Sequence, residues 1–109
     1  VFFLARNSFF GHISNLRGIL SMNNSLTYLD LSSNTLSGEI PDCWKYGYYL
    51  VTLNLANNNL SRQIPISMGQ LIHLKTLQLE NNSLSGEVPL SLKTCTDLTV
   101  LDFAKNTLG

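Results

Sequence analysis

The chain is 109 residues long and carries seven basic and seven acidic side chains, which gives a formal net charge of zero. Without a basic excess to neutralise phosphates, nucleic acid is a poor candidate for a partner. Hydrophobic residues make up 44% of the chain, enough for a packed core. No apolar run approaches the roughly 20 residues needed to span a bilayer. Composition therefore indicates one packed, neutral domain.

One asparagine recurs every 24 residues, at Asn34, Asn58, Asn82 and Asn106. In each copy, hydrophobic residues stand five and three positions before it, and a leucine stands two positions after it. A truncated copy around Asn7 opens the chain. A fixed period of this length is the signature of a solenoid, in which each repeat forms one coil that stacks on its neighbours.

Each repeat contains two short motifs. Residues 26–34 read Leu-Thr-Tyr-Leu-Asp-Leu-Ser-Ser-Asn, and residues 36–41 read Leu-Ser-Gly-Glu-Ile-Pro. The second motif returns at 84–89 with Val88 in place of the isoleucine, and at 60–65 with Arg62 and Gln63 in place of the glycine and the glutamate. Over essentially the whole chain these motifs resemble plant leucine-rich-repeat receptor ectodomains. Residues 39–44, Glu-Ile-Pro-Asp-Cys-Trp, followed by residues 53–59, Leu-Asn-Leu-Ala-Asn-Asn-Asn, look most like the receptor-like proteins that detect pathogen or self signals.

This resemblance implies an α/β fold: a right-handed solenoid with a parallel β-sheet on its concave face and short 3₁₀ or irregular segments on the convex side. We expect one domain over residues 1–109, beginning with a partial repeat at 1–25. Repeats follow at 26–49, 50–73, 74–97 and, in part, 98–109, with strands near 27–31, 51–55, 75–79 and 99–103. We also expect this chain to be an internal piece of a longer ectodomain, with the signal peptide and membrane-spanning segment lying beyond it.

The first repeat is longer than the others. Asn7 and Asn34 are 27 residues apart, so the segment 14–25 carries three extra residues. We expect these residues to bulge on the convex side. The bulge is either a binding loop or a harmless variation in length at the surface.

Four aromatic residues follow in the second repeat, namely Trp44, Tyr46, Tyr48 and Tyr49. Such a group suggests a stacking site for a carbohydrate or a peptide. The repeat alignment, however, places Trp44 in a hydrophobic column, and we expect the indole to fill core space that Gly47 leaves open. The three tyrosines are expected to remain partly exposed.

No disulfide is predicted between the two cysteines. Cys43 and Cys95 lie two coils apart, roughly 10 Å along the axis, whereas a disulfide requires Cα atoms within about 7 Å. Cys95 stands in a leucine column and is expected to be a buried thiol. Cys43 aligns with serines, so we expect it to be partly exposed.

The repeated asparagine has a structural explanation. Where the chain leaves each strand, an inward amide supplies donors and acceptors to buried backbone groups. The resulting ladder comprises Asn7, Asn34, Asn58, Asn82 and Asn106. Three further asparagines begin Asn-x-Ser sequons and are candidate glycosylation sites, consistent with an extracellular protein: Asn23, Asn59 and Asn81.

No catalytic or metal-binding constellation is apparent. His12 and His73 fall in different columns and different coils, and neither has a ligand-like spacing to cysteine or aspartate. No glycine-rich phosphate loop and no nucleophile with a nearby base occur either. We therefore expect neither an enzyme nor a cofactor.

The outward positions of the strands are the remaining candidate site. They form evenly spaced columns, and the central column is polar, which suits hydrogen bonding to an extended peptide or an oligosaccharide. Its acidic members favour a ligand with some positive charge. Alternatively, this polarity only keeps exposed strands soluble. The candidate ligand-binding residues are Tyr28, Asp30, Asn54, Gln78, Glu80 and Asp102.

The resemblance implies a non-catalytic recognition module of a plant cell-surface receptor, either a receptor-like protein or a receptor kinase in defence or developmental signalling. Such a receptor lies on the extracellular face of the plasma membrane, binds a peptide, glycan or protein ligand, and recruits a co-receptor kinase. Two alternatives are a soluble protein similar to polygalacturonase inhibitors, secreted to the cell wall, and a set of structural spacer coils.

Overall fold

The computed structural model describes residues 2–3, 10–12, 16–22 and 25–108. Within these ranges the chain forms two parallel β-sheets of five strands each. The first sheet contains β1 (Phe2–Phe3), β3 (Tyr28–Asp30), β5 (Thr52–Asn54), β7 (Thr76–Gln78) and β9 (Val100–Asp102). The second sheet contains β2 (Phe10–His12), β4 (Thr35–Glu39), β6 (Asn59–Arg62), β8 (Ser83–Gly86) and β10 (Thr107–Leu108).

The first sheet confirms the repeat register and forms the concave face. Its strands pair in chain order, and Leu53 lies opposite both Leu29 and Leu77. Because successive side chains point to opposite faces of a strand, these leucines all face inward and are fully buried. Each of the strands β3, β5, β7 and β9 is one residue shorter at each end than predicted.

The second sheet was not predicted. After each ladder asparagine the chain stays extended, and the backbone N–H of Leu36 donates to Asn58 Oδ1 at 3.1 Å, which ties consecutive coils together. Ser37 pairs with Asn59, and not with Ser61, its equivalent in the next coil. These strands are short and largely polar, so their sequence lacks the hydrophobic alternation that identifies a strand.

The segment between the sheets is helical in the last three full coils. Short 3₁₀ helices span Trp44–Gly47, Ile66–Gln70 and Leu90–Thr94. Helix α1 (Leu16–Met22), which was not predicted, occupies this place in the longer first repeat, and the bulge of its extra residues stays a prediction. Leu16 and Leu20 are both buried, because residues four apart lie on the same face of a helix. The rest of the segment, 13–15 and 23–24, lies outside the described residues.

Leucine columns build the core, and Trp44 belongs to it. Its side chain is fully buried, as predicted. The expectation about Gly47 was wrong, however. A Cβ added there would meet Leu50 at 3.0 Å and Leu20 at 3.5 Å, so these leucines, and not the indole, lie closest to the glycine.

Both cysteines are free, buried thiols. Cys95 occupies the leucine column as expected, whereas the expected partial exposure of Cys43 was wrong, since only 2% of its surface is accessible. Helix α1 packs against the 3₁₀ helix that Cys43 precedes, which accounts for its burial. Burial also raises the pKa of the Cys43 thiol to about 11.

Candidate functional site

The register of the first sheet brings the central column into one row. Asp30, Asn54, Gln78 and Asp102 lie opposite one another on β3, β5, β7 and β9. Neighbouring members are therefore separated by the strand spacing of about 4.8 Å. We call these four residues the central row.

Three members of the central row have a structural role that the sequence analysis missed. Asp30 Oδ1 accepts hydrogen bonds from the N–H of Ser32 at 2.9 Å and from its hydroxyl at 2.6 Å. Asn54 and Asp102 each accept the N–H two residues ahead, at 3.0 and 2.9 Å. Short carboxylate and amide side chains commonly stabilise a turn in this way. Part of this polarity is therefore used within the fold.

Asp30 differs from the prediction in a second respect. Only 6% of its surface is exposed, and its contacts with Ser32 are buried. It was expected to be an outward, ligand-binding residue of the polar column. A carboxylate that is buried and already holds two donors is poorly placed to contact a ligand, so the accessible part of the row begins at Asn54.

Gln78 is the member of the central row whose side chain does not accept the backbone N–H two residues ahead. Its side chain is one methylene longer than asparagine, and within the described residues it has no hydrogen-bond partner. It is partly exposed, as are Thr52 and Thr76 in the adjacent column. Gln78 thus offers an accessible amide donor and acceptor in the middle of the row.

The two other candidate ligand-binding residues, Tyr28 and Glu80, lie in the columns beside the central row. Tyr28 is partly exposed at the start of β3, next to Thr52. Glu80 is also partly exposed, but its Oε1 atom is buried and has no hydrogen-bond partner in the described part of the chain. Only part of the Glu80 carboxylate therefore faces solvent beside the row.

The ladder asparagines lie at the end of this face and connect the two sheets. Asn58 Nδ2 lies 3.0 Å from the carbonyl oxygen of Leu31 in the preceding coil and 3.1 Å from that of Leu55 in its own coil. Asn82 and Asn106 repeat the pattern. Asn34 bonds the carbonyl oxygens of Leu31 and Ser32. Asn7 lies outside the described residues.

The sequon asparagines are exposed where the structure describes them. Asn59 begins β6, and its side chain is exposed. Asn81 is exposed too, but its Nδ2 donates to Asn57 Oδ1 at 2.8 Å. Asn23 lies outside the described residues. Glycosylation at these positions stays a prediction.

The described ranges contain no group of three or more histidine, cysteine, aspartate or glutamate side chains that is arranged to hold a metal ion. Nor do they contain a helix with the length and apolar character required to cross a membrane.

Two parallel sheets linked by a repeating asparagine ladder define a leucine-rich-repeat solenoid. The Leucine Rich Repeat family matches residues 25–46, 49–71 and 73–95, more than half of the chain. The chain therefore belongs to the Leucine Rich Repeat family. A comparison with curated protein sequences gives no significant match.

Solved structures place the chain beside plant receptor ectodomains. It is 37% identical to a chain of the BIR3–SERK2 complex from Arabidopsis thaliana, with a TM-score of 0.90 over 97% of this chain. The BIR2 ectodomain from the same plant gives 34% identity and a TM-score of 0.91, again over 97%. A chain of the complex of Arabidopsis receptor kinase HAESA with the peptide hormone IDA and the co-receptor SERK1 gives 42% identity and a TM-score of 0.85 over 94%.

The matched structures are longer than this chain. It spans 55% of the matched chain in the BIR3–SERK2 complex, 54% of BIR2 and 16% of the matched chain in the HAESA complex. The match thus covers part of an ectodomain in each case.

Proposed function

We propose that the chain is a non-catalytic recognition module in the extracellular part of a plant leucine-rich-repeat receptor, and that its first sheet binds an extended peptide. The carrying observation is the central row, in which the side chain of Gln78 is partly exposed and, within the described residues, unpaired between Asn54 and Asp102. The receptor acts in defence or developmental signalling from the outer face of the plasma membrane.

The geometry of the row supports a peptide. Gln78 supplies a donor and an acceptor, Asn54 retains its Nδ2 donor, and Asp102 retains its second carboxylate oxygen as an acceptor. An extended peptide has alternating backbone donors and acceptors, so it satisfies both kinds of group. The carboxylate at one end favours a positively charged ligand residue there.

The matched structures also support peptide binding. One matched structure holds a receptor kinase with a peptide hormone and a co-receptor, and another match is a complex of the peptide hormone receptor RGFR1 with RGF2. By this analogy we extend the proposal to recruitment of a co-receptor kinase after ligand binding.

A library selection tests the proposal without a known ligand. The full chain is immobilised and a phage library of random dodecapeptides is selected on it, after which enriched peptides are titrated by calorimetry. We expect Gln78→Ala to weaken binding about tenfold, since loss of a desolvated polar contact costs about 1–2 kcal/mol. The matched control is Gln63→Ala, which removes the same side chain from an exposed position beside Gly86.

Two results would contradict the proposal. One is a selection without enriched peptides. The other is a set of enriched peptides that bind Gln78→Ala and Gln63→Ala with equal affinity, which would place the binding surface away from the central row.

A further inference from the structure

A cluster of aromatic rings lies at the surface, outside the first sheet. Tyr48 and Tyr49 are 41% and 53% exposed, and their ring centroids lie 5.0 Å apart, edge to face. His73, the equivalent of Tyr49 in the next coil, stacks on Tyr49 at 6.0 Å and meets Tyr48 edge-on at 5.1 Å. With the partly buried Tyr46, these rings form what we call the aromatic patch.

Two cations border the aromatic patch. Arg17 donates a hydrogen bond to the Tyr46 hydroxyl at 3.2 Å, and its guanidinium carbon lies 5.4 Å from the ring centroid. Lys45 Nζ lies 5.1 Å from the same centroid. The bond from Arg17 and the charges of both cations lower the pKa of the Tyr46 hydroxyl. In the part of the chain that the structure describes, neither cation is paired with a carboxylate.

The patch also has the shape of a shallow binding site. A depression of about 370 Å³ is lined by Lys45, Tyr46, Tyr48 and Tyr49. It is open to solvent, with one cation and three phenol rings on its walls. Apolar ring faces, hydroxyl groups and positive charge are therefore available within one small area.

Folding of the repeat does not require this composition. In the equivalent positions of the fourth repeat, Lys93 is retained, but Tyr46, Tyr48 and Tyr49 are replaced by Thr94, Thr96 and Asp97. That coil still forms a 3₁₀ helix in this segment, at Leu90–Thr94. The neighbouring Trp44 is buried and stabilises the core, whereas exposed tyrosine rings bury little surface there.

We propose that the aromatic patch binds an acidic oligosaccharide, a short chain of uronic acid sugars. The C–H faces of sugar rings stack on tyrosine, their hydroxyl groups bond the tyrosine hydroxyls, and their carboxylates pair with Lys45 and Arg17. This site is separate from the central row, and the proposal does not depend on peptide binding there.

An extended peptide suits this surface less well. The backbone N–H groups of Tyr46 and Leu50 already donate to Cys43 and Gly47. The patch has no strand edge and, unlike the central row, no side-chain amide, so a peptide backbone laid across it would replace few of the hydrogen bonds that it loses to water. A uronic acid ring carries a rigid apolar face and a carboxylate in one unit, so a surface can bind it through side chains, without free backbone groups.

Titration of the full chain with trigalacturonate tests the proposal. We expect saturable binding that weakens as salt is raised, and much weaker binding of the neutral trisaccharide cellotriose. Lys45→Ala should weaken trigalacturonate binding about three- to fivefold, and Tyr49→Ala by a similar factor, about fivefold. Lys93→Ala is the matched control, because it removes the same charge from the same column without aromatic neighbours.

Circular dichroism of each variant checks that the fold is kept, which we expect because Lys45, Tyr49 and Lys93 are all exposed. The proposal is overturned if trigalacturonate does not bind, or if Lys45→Ala and Lys93→Ala bind it equally well. It is also overturned if hexaglutamate binds as tightly as trigalacturonate, since the patch would then be a general anionic or peptide site. Loss of dodecapeptide binding at Gln78 would leave the result here unchanged.

Discussion

At the residue scale, one asparagine per coil joins the two sheets. Asn58 approaches three carbonyl oxygens with Nδ2, those of Leu31, Leu55 and Ala56, and accepts the N–H of Leu36 with Oδ1. The N–H of Leu36 has this amide as its partner, and the three carbonyl oxygens each share it with one other donor: Asn34 Nδ2 for Leu31, Asn82 Nδ2 for Leu55 and the N–H of Ser33 for Ala56. A buried backbone group without a partner costs more free energy than a typical hydrogen bond contributes to stability.

Replacement of a ladder asparagine should therefore be costly. We expect Asn58→Ala to lower the free energy of unfolding by about 2–3 kcal/mol, because it leaves the N–H of Leu36 without its acceptor and removes one donor from each of three carbonyl oxygens. Asn59→Ala, at the adjacent exposed position, should change it by less than about 0.5 kcal/mol. Urea unfolding followed by circular dichroism measures both, and similar losses in the two variants would show that the ladder is dispensable.

A second residue-scale prediction concerns the buried thiol of Cys43. Burial raises its pKa from 9.0 to about 11, so the folded chain holds this proton more tightly than the unfolded chain does. The contribution to stability is complete below pH 9.0 and is lost as the pH rises towards about 11. The wild-type melting temperature should then fall more steeply over this range than that of Cys43→Ser.

The serine substitution is a suitable control because Ser67 and Ser91 occupy the equivalent positions of the next two coils. All other groups that titrate at high pH are common to both proteins, so the difference in slope isolates Cys43. Parallel curves for wild type and Cys43→Ser would contradict the assignment.

At the scale of elements, close contact between consecutive 3₁₀ helices holds the convex side together. Ser91 Oγ donates to the carbonyl oxygen of Ile66 at 2.7 Å, and Thr94 Oγ1 donates to that of Gly69 at 2.6 Å. A Cβ added at Gly69 would lie 2.5 Å from the Ser91 carbonyl oxygen. The glycine is what lets the two helices approach.

Two glycine substitutions should consequently have opposite effects. Gly69→Ala should destabilise the chain by about 2 kcal/mol or more, because the clash is with backbone and the helices must separate. Gly18→Ala, in helix α1 with nothing within 4 Å of the new methyl group, should stabilise it by about 0.5–1 kcal/mol. Thermal unfolding of both variants is the measurement, and a shift of the same sign in both would contradict this packing.

Among the elements, the first sheet was predicted from the sequence, whereas the second sheet and helix α1 were not. The strands of the first sheet were predictable because the leucines repeat with a fixed period, and each position could be assigned to a column. The second sheet was not, because strands such as Asn59–Arg62 are held by ladder hydrogen bonds between coils and have little hydrophobic pattern of their own. Helix α1 was missed because the extra residues were counted as an insertion, without regard to the spacing of Leu16 and Leu20.

At the scale of the whole molecule, the solenoid presents two different surfaces. The first sheet exposes an even row of small and polar side chains, while the aromatic patch is formed within and just after the 3₁₀ helix Trp44–Gly47, together with His73 of the next coil. The row was predictable from the repeat, but its accessibility was not. A column alignment does not show that the Asp30 carboxylate is buried and bonded to Ser32, or that the longer side chain of Gln78 lacks a partner within the described residues.

The central claim is that Gln78 and its neighbours in the row contact a peptide. Two-dimensional nitrogen–proton NMR of the full chain, titrated with the tightest-binding dodecapeptide from the selection, observes the side-chain amides directly. We predict that the side-chain resonances of Gln78 and Asn54 shift on binding, while those of Gln63 and Asn59 do not. Shifts confined to Gln63, Asn59 or the aromatic patch, with Gln78 unmoved, would contradict the account.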